Sequence, residues 1–544
     1  MFSRKQRCAE RLSRTEKVAR LKQRLADPQW RRYGYTLLLG KTVALAILVA
    51  IFAIYSFLTG GAASADPAPH ASNAAVVSAI NTTWVLVAAY LVFAMQVGFT
   101  MLEAGFCRSR ETVNVLMECV VDTCLCGLLF WAWGYAFMFS TGNGFIGMHW
   151  FFLNHAPATY SFTVAGSTTD TSVAFLAHWI FQFAFADTCS TVCSGAMIGR
   201  TGFVGDLLYS VGVSGFIYPI VGHWAWGPDG FLALMGSPGN FLPGLGQSFH
   251  DFAGSTVVHT IGGTIALAGS LVLGPRIGRK FKRDGGGPML PHDLVIACSG
   301  GLILWFGWYG FNPGSTLSAI DFGGIGRVSA NTTLAACSGG LMAMIYAFPQ
   351  TKKWDLGFTV NGFLAGLVAI TCPCYWVTPT GAVILGAVAG VVVVAGVNLL
   401  EYLRIDDPIG AVPVHCLAGI WGTLSLGLFA SGQFSASGAY GMSGTPLKGL
   451  FYGGGWTLLE AQFIGSAIIT LSTFVAAYAL MFAVHKMGLL RVSRAGEEEG
   501  LDIHEHGIPA YPEYALVPGA MPGAMTPSAF SQSGASEAHP AHQG

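Results

Sequence analysis

Long apolar blocks, separated by short polar connections, fill most of this chain from residue 83 onward. They lie near 83–102, 113–139, 173–198, 203–226, 252–274, 293–313, 328–349, 356–372, 380–403, 409–430 and 460–486. A helix rises about 1.5 Å per residue and the hydrocarbon core is about 30 Å thick, and transmembrane helices run from about 17 residues upward, so each block is a candidate crossing. The pattern predicts an all-α membrane protein with eleven transmembrane helices. Only helices and closed barrels satisfy their backbone in lipid, and runs of this length read as helices.

The connections alternate in basic content. Arg108 and Arg110 follow the first block, whereas 140–172 holds no Lys or Arg. Arg200 comes next, then 228–249 again holds none. Arg276, Arg279, Lys280, Lys282 and Arg283 form a cluster; Lys352 with Lys353, then Arg404, then Lys486, Arg491 and Arg494 continue the series. By the positive-inside rule the first core helix begins outside and the C-terminus is cytoplasmic, in a multi-pass protein of the cell (inner or plasma) membrane.

The ends read differently. Residues 1–65 combine a basic arm, from Arg4 to Arg32, with an apolar run at about 35–58 that ends in Ala63-Ser64-Ala65. That run is either a cleaved signal peptide, leaving the mature N-terminus outside, or one extra helix. Residues 66–82 form a periplasmic lead-in, 83–489 the membrane domain and 490–544 a cytoplasmic C-terminal region. Beyond about 512 the Pro, Ala, Ser and Gly content predicts disorder.

Composition agrees with the pattern. The 544 residues are 53 % hydrophobic and 10 % charged, where soluble domains carry about 25 % charge. The formal net charge of 0 gives no pointer to nucleic acid, and none is expected as a partner. The 72 glycines suit closely packed helices. Most of the 12 cysteines, such as Cys119, Cys189 and Cys298, lie in apolar runs and read as packing residues. Cys372 and Cys374 lack a second pair for zinc. No metal or cofactor is expected.

Ionisable groups inside apolar blocks are costly and mark function. Asp251 precedes His259 by eight residues in DFAGSTVVH, and Asp407 precedes His415 by eight in DPIGAVPVH. Each Asp stands where a helix begins and suits an N-cap. Eight residues advance roughly 12 Å. Entered from opposite faces, the two helices carry both histidines to the midplane, as an inverted repeat of five-helix halves would. Two neutral imidazoles there offer donor and acceptor sites to a small polar solute. Trp224 reads as an interfacial aromatic, whereas Trp226 could present its face to a cation. Phe185 and Phe311 sit within the third and sixth blocks, with Ser315 on the helical face of Phe311.

Together MQVGFTMLEAGFCR, YPIVGHWAWG, DFAGSTVVH, WYGFNPGS and DDPIGAVPVH resemble the ammonium transporter family of the Amt/Mep/Rh superfamily, from about residue 83 to about 507. The resemblance implies a homotrimer with one pore per subunit, two inverted five-helix repeats and a peripheral eleventh helix. It implies that Trp226, Phe185 and Ser315 recruit ammonium and that Asp251 orders this region. It further assigns Phe185 and Phe311 to a stacked gate, with Trp308, His259 and His415 lining a pore for ammonia. A PII-type regulatory protein is a candidate partner at the cytoplasmic face. Two departures stand out: Gly199 where the family carries Glu, and Glu118-Cys119 where a Lys-Asn pair is common. An ammonium sensor, with little flux and usually a fused signalling domain, and an Rh-type neutral gas channel are the alternatives. A membrane enzyme would have only His504, Glu505 and His506 as a tight cluster, which reads as a solvated entry to the tail.

Overall fold

The computed structural model describes residues 73–163, 170–435 and 446–512. The basic arm, the apolar run at 35–58 and the tail beyond 512 lie outside the described residues.

Apart from two small hairpins, the described chain is a bundle of helices. Nine are long and apolar enough to cross a membrane: Asn73–Phe106, Ser109–Phe139, Phe203–Trp226, Ser255–Leu273, Leu294–Gly314, Phe322–Thr351, Pro379–Leu403, Val412–Phe429 and Thr457–Lys486. The other two expected blocks are also helices. Leu356–Thr371 is apolar but short, with 16 residues. Phe175–Gly195 has 21 residues but carries Gln182, Asp187, Thr188, Ser190, Thr191 and Ser194, all buried. Helix starts follow capping chemistry. Asp293 accepts from the amides of Val295 and Ile296, Asp355 from Phe358 and Thr378 from Gly381. Small residues let neighbours touch: an ideal Cβ on Gly366 would lie 2.2 Å from the Ala335 carbonyl oxygen.

Three local expectations need correction. Among the described residues the first helix starts at Asn73, so most of the stretch read as a lead-in is helical. Its polar residues have partners, since buried Asn81 accepts from the Ala319 amide at 2.9 Å and Ser78 meets Ser172 at 2.9 Å. The third block does not start as helix, because Asp170–Ala174 is a strand paired with Thr159–Thr163. A second hairpin pairs Gly142–Asn143 with Ile146–Gly147. Finally, the chain after Lys486 packs back on the bundle, although His504 and Glu505 of the expected solvated cluster are exposed. Val492 donates to the Arg200 carbonyl, and the short helices Arg494–Glu499 and Leu501–His506 dock beside the start of Thr112–Leu129. The Asn114 amide donates to Asp502 at 3.0 Å and His506 to the Asn114 side chain at 3.0 Å.

The basic cluster is likewise built into the fold. Arg276 donates from its amide, Nε and Nη2 to buried Asp406, at 3.0, 2.8 and 3.0 Å. Arg200 donates to the Asp406 carbonyl at 2.7 Å, and Arg279 pairs with Glu401. Burial pushes the Asp406 carboxyl up, but the Arg276 hydrogen bonds, with the charges of Arg276 and Arg200, outweigh it and hold the group well below the usual carboxylate range.

Candidate functional site

Two helix starts, far apart in sequence, are built alike. Asp251 accepts from the amides of Gly254, Ser255, Thr256 and Val257 at 2.8–3.0 Å. Asp407 accepts from Gly410, Ala411 and Val412 at 2.8–3.1 Å. Each cap needs a left-handed residue three positions on, and Gly254 (φ 110°) and Gly410 (φ 81°) supply it. Each then opens into a wide π-helical turn, Ser255–Thr260 and Val412–Leu417. The first is closed by the His259 amide donating five residues back to Gly254 at 3.0 Å. Such turns, frequent at functional sites, shift the following side chains around the helix axis. Each turn carries a histidine, and the two rings meet: Nδ1 of His259 lies 3.3 Å from Nδ1 of His415. Neither ring faces the bundle's exterior, with His259 fully buried and His415 7 % exposed.

A column of rings leads to this pair. Trp226 meets Phe185 edge-on, with centroids 6.1 Å apart. Phe185 stacks on Phe311 at 4.0 Å and 21°. Phe311 stacks on His259 at 5.3 Å, and Trp308 stacks on His259 at 5.1 Å. The sequence-predicted residues therefore converge, and all are buried. Trp308 is fixed by its Nε1 donating to Thr371 at 2.9 Å. Trp226 is fixed by its Nε1 donating to the Asp251 carbonyl at 2.8 Å, so the cap of one helix also holds the aromatic at the column's mouth. The Ser315 hydroxyl donates to the Phe311 carbonyl at 2.9 Å, leaving its lone pairs free to accept. Sequence reading missed Phe181, 4.6 Å from Phe185 between centroids, and Thr371. Phe181 lies one turn before Phe185, a signal available in the sequence. Nothing local marks Thr371.

Nε2 of His259 is buried without a protein partner. Among the described residues no three His, Cys, Asp or Glu side chains group to hold a metal. The arrangement can shield a small solute from water, present ring faces to a cation and offer imidazole nitrogens for hydrogen bonding.

Residues 83–511 match the Ammonium Transporter Family. This chain belongs to that family. It is a multi-pass membrane protein that transports ammonium, not an enzyme. It is 40 % identical over 449 residues to the ammonium transporter Amt2 of Archaeoglobus fulgidus, covering 82 % of this chain and 91 % of that one. Among solved structures it is similar to a sensor Amt protein, with a TM-score of 0.68, 34 % identity and coverage of 79 % of this chain and 99 % of that one. It is also similar to Mep2 of Candida albicans, with a TM-score of 0.66, 27 % identity and coverage of 79 % and 90 %.

The two departures of this ammonium transporter have structural counterparts. The space beside Gly199 holds the carboxylate of Glu111, whose Oε1 would lie 2.7 Å from a Cβ at 199. Glu118 is buried and accepts from Asn114 at 2.7 Å. Asn114 in turn binds Asp502 and His506, so Glu118 is wired to the docked C-terminal helices. Cys119 packs with Cys107, Val115 and Ile198.

Proposed function

We propose that this transporter recruits ammonium at Trp226, Phe185 and Ser315, removes a proton, and passes ammonia through the Phe185–Phe311 gate along a dry path past Trp308, His259 and His415. The observation that carries this reading is the unbroken column from Trp226 to His415, with neighbouring centroids 4.0–6.1 Å apart. A bare cation entering such a path loses its hydration without full replacement, at a cost of several kcal/mol. Ammonium escapes that cost by shedding a proton; potassium cannot. The histidine pair can share one proton between its Nδ1 atoms and leave Nε2 of His259 to meet the solute.

The nine long apolar helices, with Phe175–Gly195 and Leu356–Thr371, make eleven spans in this reading: two inverted halves of five and the peripheral Thr457–Lys486. The matched Asp251–Gly254–His259 and Asp407–Gly410–His415 caps support it. Trp226 then faces outside, and Arg276 and the C-terminal helices face the cytoplasm, where a PII-type protein would dock. Family resemblance adds a homotrimer in the cell membrane.

The likeness to a sensor Amt protein favours a second reading, ammonium binding without useful flux. Methylammonium uptake in cells lacking their own ammonium transporters separates the two. Accumulation supports transport through the column; none, with the protein present in the membrane, supports the sensor.

A further inference from the structure

The ring of His223 is fully buried, one turn before Trp226, and meets only acceptors. Nδ1 lies 2.9 Å from the Met138 carbonyl oxygen and Nε2 lies 2.9 Å from that of Asn143. Oδ1 of Asp229 stands 3.2 Å from Nε2 and is a buried oxygen with no other hydrogen bond. A neutral imidazole has a single N–H and would leave one carbonyl facing a lone pair. Flipping the ring does not help, since it would aim C–H groups at both carbonyls. Met138 lies in the last turn of the 31-residue helical span Ser109–Phe139, so its carbonyl is among the orphans at the negative end of that helix, where a cation is favoured.

We propose that His223 is held as an imidazolium paired with the half-buried Asp229, and that this ion pair is a positioning element for the ammonium site at Trp226. The inference rests on Trp226 being the recruiting aromatic. The ring joins three segments. The first is the helix ending at Phe139. The second is the hairpin Gly142–Gly147, whose Gly142 amide donates to Oδ2 of Asp229 at 2.7 Å. The third is the turn that leaves Trp226. Its Gly227 amide donates to the His223 carbonyl at 2.8 Å, and an ideal Cβ on Gly227 would lie 2.3 Å from Nδ1 of His223. The peptide after Trp226 therefore rests on the imidazole. Cross-links from Trp224 to the Phe145 carbonyl (3.1 Å) and from the Phe231 amide to the Gly144 carbonyl (3.0 Å) depend on the same register. Among the described residues Asp229 is the titratable side chain facing the ring, and no Lys or Arg occurs in 140–172 or 228–249. The pair has no net charge, so it fixes the rim without repelling an arriving cation. Losing the proton leaves at least one of the two carbonyls facing a lone pair, removes the charge that Asp229 faces and frees the rim under Trp226.

The test uses the full chain in proteoliposomes, with methylammonium uptake measured at external pH from about 6 to about 9, across the range where imidazoles titrate, and cation concentration held fixed. The wild type is expected to show a KM that rises with pH at little-changed maximal rate. His223→Gln is expected to show a KM raised about tenfold at low pH, a loss of binding equivalent to one decade, and a flat profile. Asp229→Asn keeps the acceptor for Gly142 and is expected to move the rise to lower pH. Melting of the purified proteins reads the ion pair without transport: the wild type loses thermal stability toward alkaline pH, and His223→Gln does not. A His223→Gln protein with the wild-type KM and melting profile would overturn the proposal, as would a wild type flat in both. Wild-type protein that takes up no methylammonium would instead sink the reading of Trp226, while the melting comparison still decides the charge on His223.

Discussion

An ideal Cβ on Gly263 would lie 2.3 Å from the backbone nitrogen of Cys416, the residue after His415. The relationship is reciprocal. A Cβ on Gly419 would lie 2.5 Å from the Ser255 carbonyl and 2.4 Å from the hydroxyl of Thr260, the residue after His259. Each glycine follows its own histidine by four positions. The two helices thus cross in backbone contact at the histidines, each notched to receive the other, and this brings the rings to 3.3 Å.

Gly263→Ala and Gly419→Ala should each push the helices apart. Overpacking a close contact costs about 1–3 kcal/mol, so each variant should melt earlier and transport less than wild type. Methylammonium uptake normalised to membrane protein, with melting in detergent, checks this. Wild-type values in both would show that the crossing tolerates separation.

On the proposed mechanism, in which the imidazoles complete a path that excludes bare cations, replacing His259 or His415 should cost discrimination more than throughput. At least one of His259→Ala and His415→Ala should admit potassium. Currents on a supported membrane after a potassium pulse read this directly, and two variants as silent toward potassium as wild type would discredit the pair as a selectivity element.

Trp226→Leu removes the ring whose edge contact with Phe185 closes the column's mouth. A desolvated cation–π contact contributes about 2 kcal/mol, so apparent ammonium affinity should fall by roughly tenfold or more while maximal uptake changes little. The KM for methylammonium is the measurement; an unchanged value would remove Trp226 from the recruiting site.

The sequence made the two Asp-to-His spacings visible because capping and the rise of a helix are local properties, and both histidines do stand in buried turns that meet. The aromatic positions were legible as candidates, but their stacking was not, since Phe185 and Phe311 lie on helices 126 residues apart in the chain. The wide turns were invisible for a related reason. A π-helical turn costs regular hydrogen bonds and is held by what packs around it, here the crossing at Gly263 and Gly419. The apolar pattern marks both Leu356–Thr371 and Phe175–Gly195, although the second carries many buried polar residues. The docking of 490–506 was not legible, because the partners of Glu497 and Asp502, the backbone amides of Ile277 and Asn114, lie more than 200 residues away in the chain.

Acid should loosen the Arg276 end of the bundle first. The carboxyl of Asp406 sits well below its unfolded value, because the Arg276 bonds and the charges of Arg276 and Arg200 outweigh its burial. Its stabilisation is therefore fully present above the ordinary carboxylate pKa of about 4 and is lost as pH falls below that toward the depressed folded value. Asp406→Asn should lower the melting temperature at neutral pH and flatten the decline below about pH 4. Parallel acid profiles for the variant and the wild type would show that this ion pair does not govern the transition.

Gly199 lies against the carboxylate of Glu111. Gly199 has φ 82°, and a Cβ there would lie 2.7–2.8 Å from all three atoms of the Glu111 carboxylate, which is buried and bonded to the side chain and amide of Arg108. Introducing the glutamate that the family resemblance leads one to expect, as Gly199→Glu, places a second carboxylate against the first and forces a side chain into a left-handed backbone, which alone costs about 1–2 kcal/mol. Glu111→Gly alone should also destabilise, since Arg108 loses its partner. If one carboxylate serves this corner of the fold from either position, the double variant should be more stable than the sum of the two losses by about 1–3 kcal/mol, the coupling typical of residues in contact. Denaturation of the four purified proteins gives that coupling. Simple additivity would mean that Glu111 fills the space beside Gly199 without replacing the missing charge.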